Sequence, residues 1–309
     1  MNPRVLVFGS INMDLVTKVP HLPIPGETLL GHSFTTVPGG KGANQAVAVA
    51  RLGVPTAIVG RVGKDQFGQE LLRNLQSDRV QTDGVYIDPS NTSGVAVIAV
   101  DDNAENHIIV IPGANGNVGE EDIKRLTQQL SAAVLLLQLE VPLFAVQKAA
   151  QAAQQTGVKV ILDPAPAPTE LPSELYPVVD IITPNAVEAG QLVNFRVDSP
   201  ESAEKAALVL QQRGVKTAII KLGAKGVFCA TPDETFFVPA FSVKAVDTVA
   251  AGDAFNGGLA AALSQGYSLR EAVVWGAATG ALATTKSGAQ SSLPTRETVE
   301  AFLQEHQRN

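Results

Sequence analysis

The chain has 309 residues, 45% of them hydrophobic and 17% charged, with a formal net charge of −7. This composition excludes a disordered chain and leads to the expectation of one α/β domain over residues 1–309. The acidic balance, with no block of like charge, argues against nucleic acid or an anionic membrane as partner. Cys229 is the one cysteine, which rules out a disulfide or a thiolate zinc site within the chain. His21, His32, His107 and His306 show no metal-ligand spacing. The opening apolar run is too short for a signal peptide or a spanning helix, so a cytoplasmic location is expected.

Val5 to Phe8 reads as a buried strand, and Gly9-Ser10-Ile11-Asn12-Met13-Asp14 lies just beyond it. Ligands of open α/β sheets bind outside the carboxyl ends of the strands. Asn12 and Asp14 therefore offer an amide and a carboxylate to sugar-like hydroxyls, although an Asx turn accounts for the same residues. Residues 14–38 carry Pro20, Pro23, Pro25 and Pro38, with short strand-like pieces and no helix. Gly39-Gly40-Lys41-Gly42-Ala43-Asn44-Gln45-Ala46 then leads into a helix, since Ala43, Ala46, Val47 and Ala50 fall at helical spacing. It is not a phosphate loop, because Gly42 stands where Ser or Thr is needed, and it fails the dinucleotide fingerprint. Its glycines would let a polyol approach the backbone, with Asn44 in reach; a plain loop-to-helix junction is the alternative.

Ala57 to Val59 reads as a further strand. Residues 93–111 read as a hairpin: Val95 to Val100, a polar turn at 101–105, then His107 to Ile111. With residues 14–38 this hairpin would form a small antiparallel sheet, a lid inserted at about 14–38 and 93–111. Val134 to Leu139, Val158 to Leu162, Val179 to Thr183 and Thr217 to Leu222 are strand-like, and helical patterns cover Leu143 to Gln155 and Ser202 to Arg213. This alternation predicts a doubly wound, mostly parallel sheet with helices on both faces.

Asp163 precedes Pro164, Pro166 and Pro168 and reads as shaping that turn. In Thr183-Pro184-Asn185-Ala186-Val187-Glu188, Pro184 suits a helix start, and Asn185 and Glu188 are expected on one helix face. An amide with a carboxylate suits hydrated Mg²⁺, and a helix cap beside a solvated glutamate is the alternative. Lys221 to Gly226 joins two strands as a glycine hairpin.

Asp247 to Gly258 is the most informative segment. Ala250, Ala251 and Gly252 leave backbone N–H groups bare where a buried helix begins, and such helix starts attract anions. A carboxylate there repels phosphate but can accept a proton from a hydroxyl that attacks it. Asp253 therefore suggests phosphoryl transfer to an alcohol; a Gly/Ala-packed helix with Asp253 as its cap is the structural alternative.

Gly39-Gly40…Asn44 and Asp247-Thr248…Gly252-Asp253, in this order and spacing, resemble the two signatures of the PfkB carbohydrate kinase family, and the likeness runs from about Val5 to Pro294. Gly9 to Asp14 and Gly39 to Ala46 are most similar to its ribokinase branch. The resemblance implies a doubly wound α/β fold with a β-sheet lid that often forms a dimer contact, here favoured by Val95, Val97 and Ala99. It implies ATP-dependent phosphorylation of the 5-hydroxyl of D-ribose, giving ribose 5-phosphate and ADP. Other substrates in that class are deoxyribose, fructose or a nucleoside. A sugar-binding regulator without catalysis is a different class, and a nicotinamide-dependent oxidoreductase would lack its glycine fingerprint here.

By the same resemblance, Asn12, Asp14, Gly40, Lys41, Asn44 and Glu140 would hold the sugar. Asp253 would be the base, and the N–H groups of Ala250, Ala251 and Gly252 the anion hole. Asn185 and Glu188 match the motif that organises Mg²⁺ and its waters. Lys221, Gly223 and Gly226 match a nucleotide loop, with Gly252 also facing ATP. Potassium would lie at Asp247, Val249, Ala283, Lys286, Gly288 and Ser292, mostly on carbonyl oxygens. Ala250 departs from the glycine of many members, and Ala277 stands where His or Asn often lies near adenine.

Overall fold

Apolar four-residue runs with no polar alternation form the middle of the main sheet, as strands covered on both faces do. The computed structural model describes residues 4–103, 105–168 and 170–307; Ala104, in the expected turn at 101–105, lies outside them. In chain order the first elements are β1 (Val5–Phe8), β2 (Asn12–Lys18), β3 (Ser33–Gly39), α1 (Lys41–Arg51) and β4 (Thr56–Gly63). They are followed by α2 (Gln66–Ser77), β5 (Gln81–Asp88), β6 (Gly94–Val100), β7 (Asn106–Ile111) and α3 (Glu120–Thr127). Next come β8 (Val134–Leu137), α4 (Leu143–Thr156), β9 (Lys159–Leu162), β10 (Ile181–Ile182), α5 (Ala186–Val193) and α6 (Pro200–Gln212). The chain closes with β11 (Thr217–Lys221), β12 (Gly226–Ala230), β13 (Thr235–Pro239), α7 (Ala251–Ser264), α8 (Leu269–Ala283) and α9 (Arg296–Gln307).

Nine strands form one sheet in the order β13-β12-β11-β10-β9-β8-β1-β4-β5. It is parallel from β11 to β5, and β12 and β13 add an antiparallel hairpin at one edge. Period-two alternation splits the core. Val5 and Val7 of β1 join one apolar cluster with α1, α7 and α8. Leu6 and Phe8 join the other, with α4, α5 and α6. From β1 the sheet grows outward through β4 and β5 on one side and β8 to β11 on the other. This reversal of strand order opens a crevice beyond the carboxyl ends, where α/β proteins place their ligands.

The small sheet has the order β3-β2-β6-β7. It is mixed rather than antiparallel: β2 and β6, which are not consecutive in the chain, pair in parallel at its centre. Val95 turns inward and packs on the main core. Val97 is exposed as expected, and the other exposed apolar residues of this sheet lie on β7, where Ile108, Ile109, Val110 and Ile111 are 55%, 63%, 50% and 41% accessible, and at Phe34. Alternation within β6 alone could not reveal this, because β7 covers one edge and the main domain one face.

α7 is buried almost all round. A Cβ on Gly257 would meet Ala48 Cβ at 2.4 Å, and one on Gly258 would meet Thr279 Oγ1 at 2.5 Å. These two glycines let α1 and α8 close on α7 from both sides. Helices α2 and α9 escaped the sequence pattern because they are mostly polar; α2 buries only Gly68, Leu71 and Leu75. Among the described residues no helix is long and apolar enough to cross a membrane.

Candidate active site

The site residues arrive at the ends of neighbouring strands: Gly9 to Asn12 after β1, Gln138 to Glu140 after β8, Asp163 after β9, Asn185 after β10 and Lys221 at the end of β11. α1 and α7 point their N-termini at the same place. Gly40 caps α1 with φ 87°, and a Cβ there would meet Asn12 N at 2.7 Å. Ala250 caps α7 in the left-handed region at φ 58°.

Asp253, the third residue of α7, is buried. Its Oδ2 accepts from Asn44 Nδ2 at 2.9 Å and its Oδ1 from Gln45 Nε2 at 3.1 Å. Gln45 Nε2 also donates to Asp163 Oδ2 at 3.0 Å, and Lys221 Nζ pairs with Asp163 Oδ1 at 3.0 Å. Burial pushes Asp253 up to about 6, and Asp163 adds to this; Lys41 opposes, as do the Asn44 and Gln45 amides. The positive helix end therefore does not leave Asp253 an ordinary carboxylate.

The proposed sugar residues gather on the β1 side. Glu140 Oε2 accepts from Ser10 Oγ at 2.5 Å and from Lys41 N at 3.0 Å. Asn12 Oδ1 accepts from the buried Asn115 at 2.7 Å. Burial first, then Glu140 and Asp253, raise Asp14 to about 7, against the pull of Lys41. Burial alone would lower the Lys41 ammonium, but Asp253, Asp163, Glu140 and Glu188 together hold it above its usual value.

A cavity of about 740 Å³ opens from Lys41 and Asp253 across the N-terminus of α7. Asp163, Asn185, Glu188, Lys221, Gly223, Gly226 and Ala250 to Gly252 line it near that end, and Ala277 lies on its wall. Two cationic side chains and a helix N-terminus make this end suitable for an anion. The Ala251 N–H bends toward Thr248 O at 3.3 Å, so it is less bare than its position implied.

Asn185 and Glu188 meet at the start of α5 as a reciprocal cap. Asn185 is the N-cap of α5 and Glu188 its third residue, and each side chain accepts from the other's backbone N–H, at 2.9 and 2.8 Å. Both still border the cavity, and burial, then Asp163, raise the Glu188 carboxyl.

The six potassium candidates lie on the segment before α7 and on the end of α8 with the loop that follows it, outside the cavity wall. Asp247 Oδ1 accepts from Val249 N at 3.0 Å and Oδ2 from Gly288 N at 2.9 Å. Lys286 N donates to Ala283 O at 3.4 Å, and Ser292 N to Ala289 O at 3.2 Å. Among the described residues no group of three or more His, Cys, Asp or Glu is placed to hold a metal. A cation here would depend on carbonyl oxygens and water, a donor set that suits hard ions.

Sequence reasoning missed Ser10, Gln45 and Gln138, and gave Asp163 only a role in its turn. Gln45 adjoins Asn44 in the same motif, but its direction follows only from the packing of α1. The loop at 240–245 also walls the cavity without carrying any motif. Its Phe241 is held by Phe302 of α9, with ring centroids 5.2 Å apart.

A parallel sheet with its cleft at the reversal of strand order, a buried carboxylate and an anion-binding helix start define a group-transfer enzyme. The family model for pfkB family carbohydrate kinases matches residues 2–296, and the chain belongs to that family. It is 43% identical to a ribokinase of Haemophilus influenzae over 98% of this chain and 99% of that one. It is 38% identical to a deoxyribokinase of Salmonella typhimurium over 97% of this chain and 98% of that one. The structure of Arabidopsis thaliana ribokinase complexed with ribose and ATP matches with a TM-score of 0.91 at 33% identity, covering 98% of this chain and 99% of that one.

Proposed function

We propose that the chain transfers the γ-phosphoryl group of ATP to the 5-hydroxyl of D-ribose, giving ribose 5-phosphate and ADP, in the cytoplasm. The observation that carries this reading is Asp253, buried at the start of α7, fixed by two amides and facing a cavity that Lys41 and Lys221 also line. The ribokinase relative and the ribose-bound structure support the choice of sugar.

Asn12, Asp14, Gly40, Lys41, Asn44 and Glu140 hold the sugar so that its 5-hydroxyl faces Asp253. The sugar oxygen forms a bond to the γ-phosphorus while the bond to the β–γ bridging oxygen breaks, and the hydroxyl proton passes to Asp253. The N–H groups of Ala250, Ala251 and Gly252, with Lys41, offset charge on the transferring group. Gly223 and Gly226 let the nucleotide approach the backbone after β11. Through water, Asn185 and Glu188 would hold Mg²⁺, which would supply positive charge to the phosphates, and Asp247, Val249, Ala283, Lys286, Gly288 and Ser292 would hold K⁺ near the start of α7.

The deoxyribokinase relative favours deoxyribose as a second reading. ADP formation with Mg-ATP, with and without K⁺, is measured across D-ribose, deoxyribose, fructose and adenosine. Ribose-dependent turnover raised by K⁺ is expected. Turnover with another acceptor alone would move the substrate. Ribose binding with no turnover of any sugar would make the chain a regulator.

A further inference from the structure

Two buried amides contact Asp253 and two more contact those, and their directions are interlocked. A carboxylate only accepts hydrogen bonds, so it demands an N–H from each neighbouring amide. Asn44 meets this demand with Nδ2, which turns its Oδ1 away, and Gln290 Nε2 donates to that oxygen at 3.1 Å. Gln290 Oε1 in turn accepts from Asn74 Nδ2 on α2. On the other side Gln45 meets Asp253 and Asp163 with Nε2, and its Oε1 accepts from Gln138 Nε2 at 2.6 Å. Reversing any one amide would aim an oxygen at a carboxylate or at another amide oxygen.

We infer that Gln290 and Gln138 are positioning residues for phosphoryl transfer: they lock the Asn44 and Gln45 amides with their N–H groups toward Asp253. This rests on the kinase reading above. Neither outer glutamine touches Asp253. Gln290 is itself anchored, because its backbone carbonyl accepts from Arg51, which pairs with Asp78 at 2.7 Å. Gln138 is fully buried, and its Oε1 has no partner among the described residues. Its orientation is therefore held by the bond to Gln45 alone. An unpartnered oxygen is the cost of aiming the N–H inward.

The lock favours the ionised base. A protonated Asp253 would set its O–H against two N–H donors, so the relay helps return the proton after each transfer. The other charged groups facing this centre are Lys41 on α1, Asp163 after β9 with its partner Lys221, Asp14 on β2 and Glu140 after β8.

The test is Gln290→Met, which keeps length and removes the donor, with Asn74→Ala, half-buried on α2, as a milder variant. Turnover of D-ribose with Mg-ATP is followed from pH 4 to 8, roughly two pH units on either side of the base at about 6. The acid limb of kcat is expected to move up by roughly one pH unit in Gln290→Met and less in Asn74→Ala. Turnover at pH 7 should fall about tenfold. Introduced into Asn44→Ala, Gln290→Met should change nothing further, because it acts through Asn44. An unmoved acid limb, or a uniform loss at every pH, would overturn the relay. If the unaltered chain turns over no ribose, the kinase reading fails instead. The relay is then read from thermal midpoints with and without Asp253→Asn: Gln290→Met must move the pH at which those midpoints diverge, and an unchanged pH refutes it.

Discussion

Asp253 must be ionised to accept a proton, yet it is buried. Burial pushes it up to about 6, and Lys41 with two amides keeps it from rising further. A base near that value is still mostly ionised at neutral pH and can hold a proton in the transition state. Asp253→Asn should retain ribose binding and lose at least ~100-fold in turnover; near-normal turnover would remove it as the base. The same burial has a stability consequence. Asp253 is raised from its ordinary value, so the folded chain binds this proton more tightly than the unfolded one. The contribution is present below about pH 4 and disappears as pH rises through about 6. Relative to the unaltered chain, Asp253→Asn should gain up to roughly 3 kcal/mol between pH 4 and pH 8. Thermal midpoints of both chains at the two pH values would show it, and parallel curves would refute it.

At the scale of the element, α7 begins under strain. Ala250 holds φ 58°, a conformation costly for any residue with a Cβ. The bend it makes sets the first residues of α7 against the cavity. Ala250→Gly should therefore raise stability by about 1 kcal/mol and keep turnover. Ala250→Val, β-branched in the same conformation, should lose both. Denaturant midpoints and ADP formation on the two variants separate these effects, and equal behaviour would show that the bend carries no function. The strand-end segments were readable because their chemistry is local: Gly39 to Asn44 and Asp247 to Asp253 each carry turn-forming and reactive residues together. Asp163 was not readable as a site residue. Its partners Gln45 and Lys221 lie 118 and 58 positions away; the strand order β9-β10-β11 brings Lys221 to it, and the placement of α1 brings Gln45.

At the scale of the molecule, the small sheet presents an apolar surface. β7 is its edge strand, accessible along its whole length, and carries Ile108 to Ile111 outward. An apolar, unpaired edge strand favours a second copy of the same chain. We propose a homodimer through this sheet, with β7, Phe34 and Val97 in the contact rather than Val95 and Ala99. Ile109→Lys should convert dimer to monomer in sedimentation at micromolar concentration. A monomer before the substitution would refute the proposal.

The sequence by itself determined the alternation of strands and helices, the two interrupted regions, and the helix start that holds Asp253. Each of these follows from short-range patterns: apolar periodicity, proline placement, and small residues before a carboxylate. Only the tertiary structure decided that β2 and β6 pair in parallel, that Gln45 and Lys221 meet at Asp163, and that a chain of amides is ordered around one base. Those depend on which strands become neighbours and which way an amide turns. Both are settled by packing between segments far apart in the chain, and a linear pattern carries no record of it.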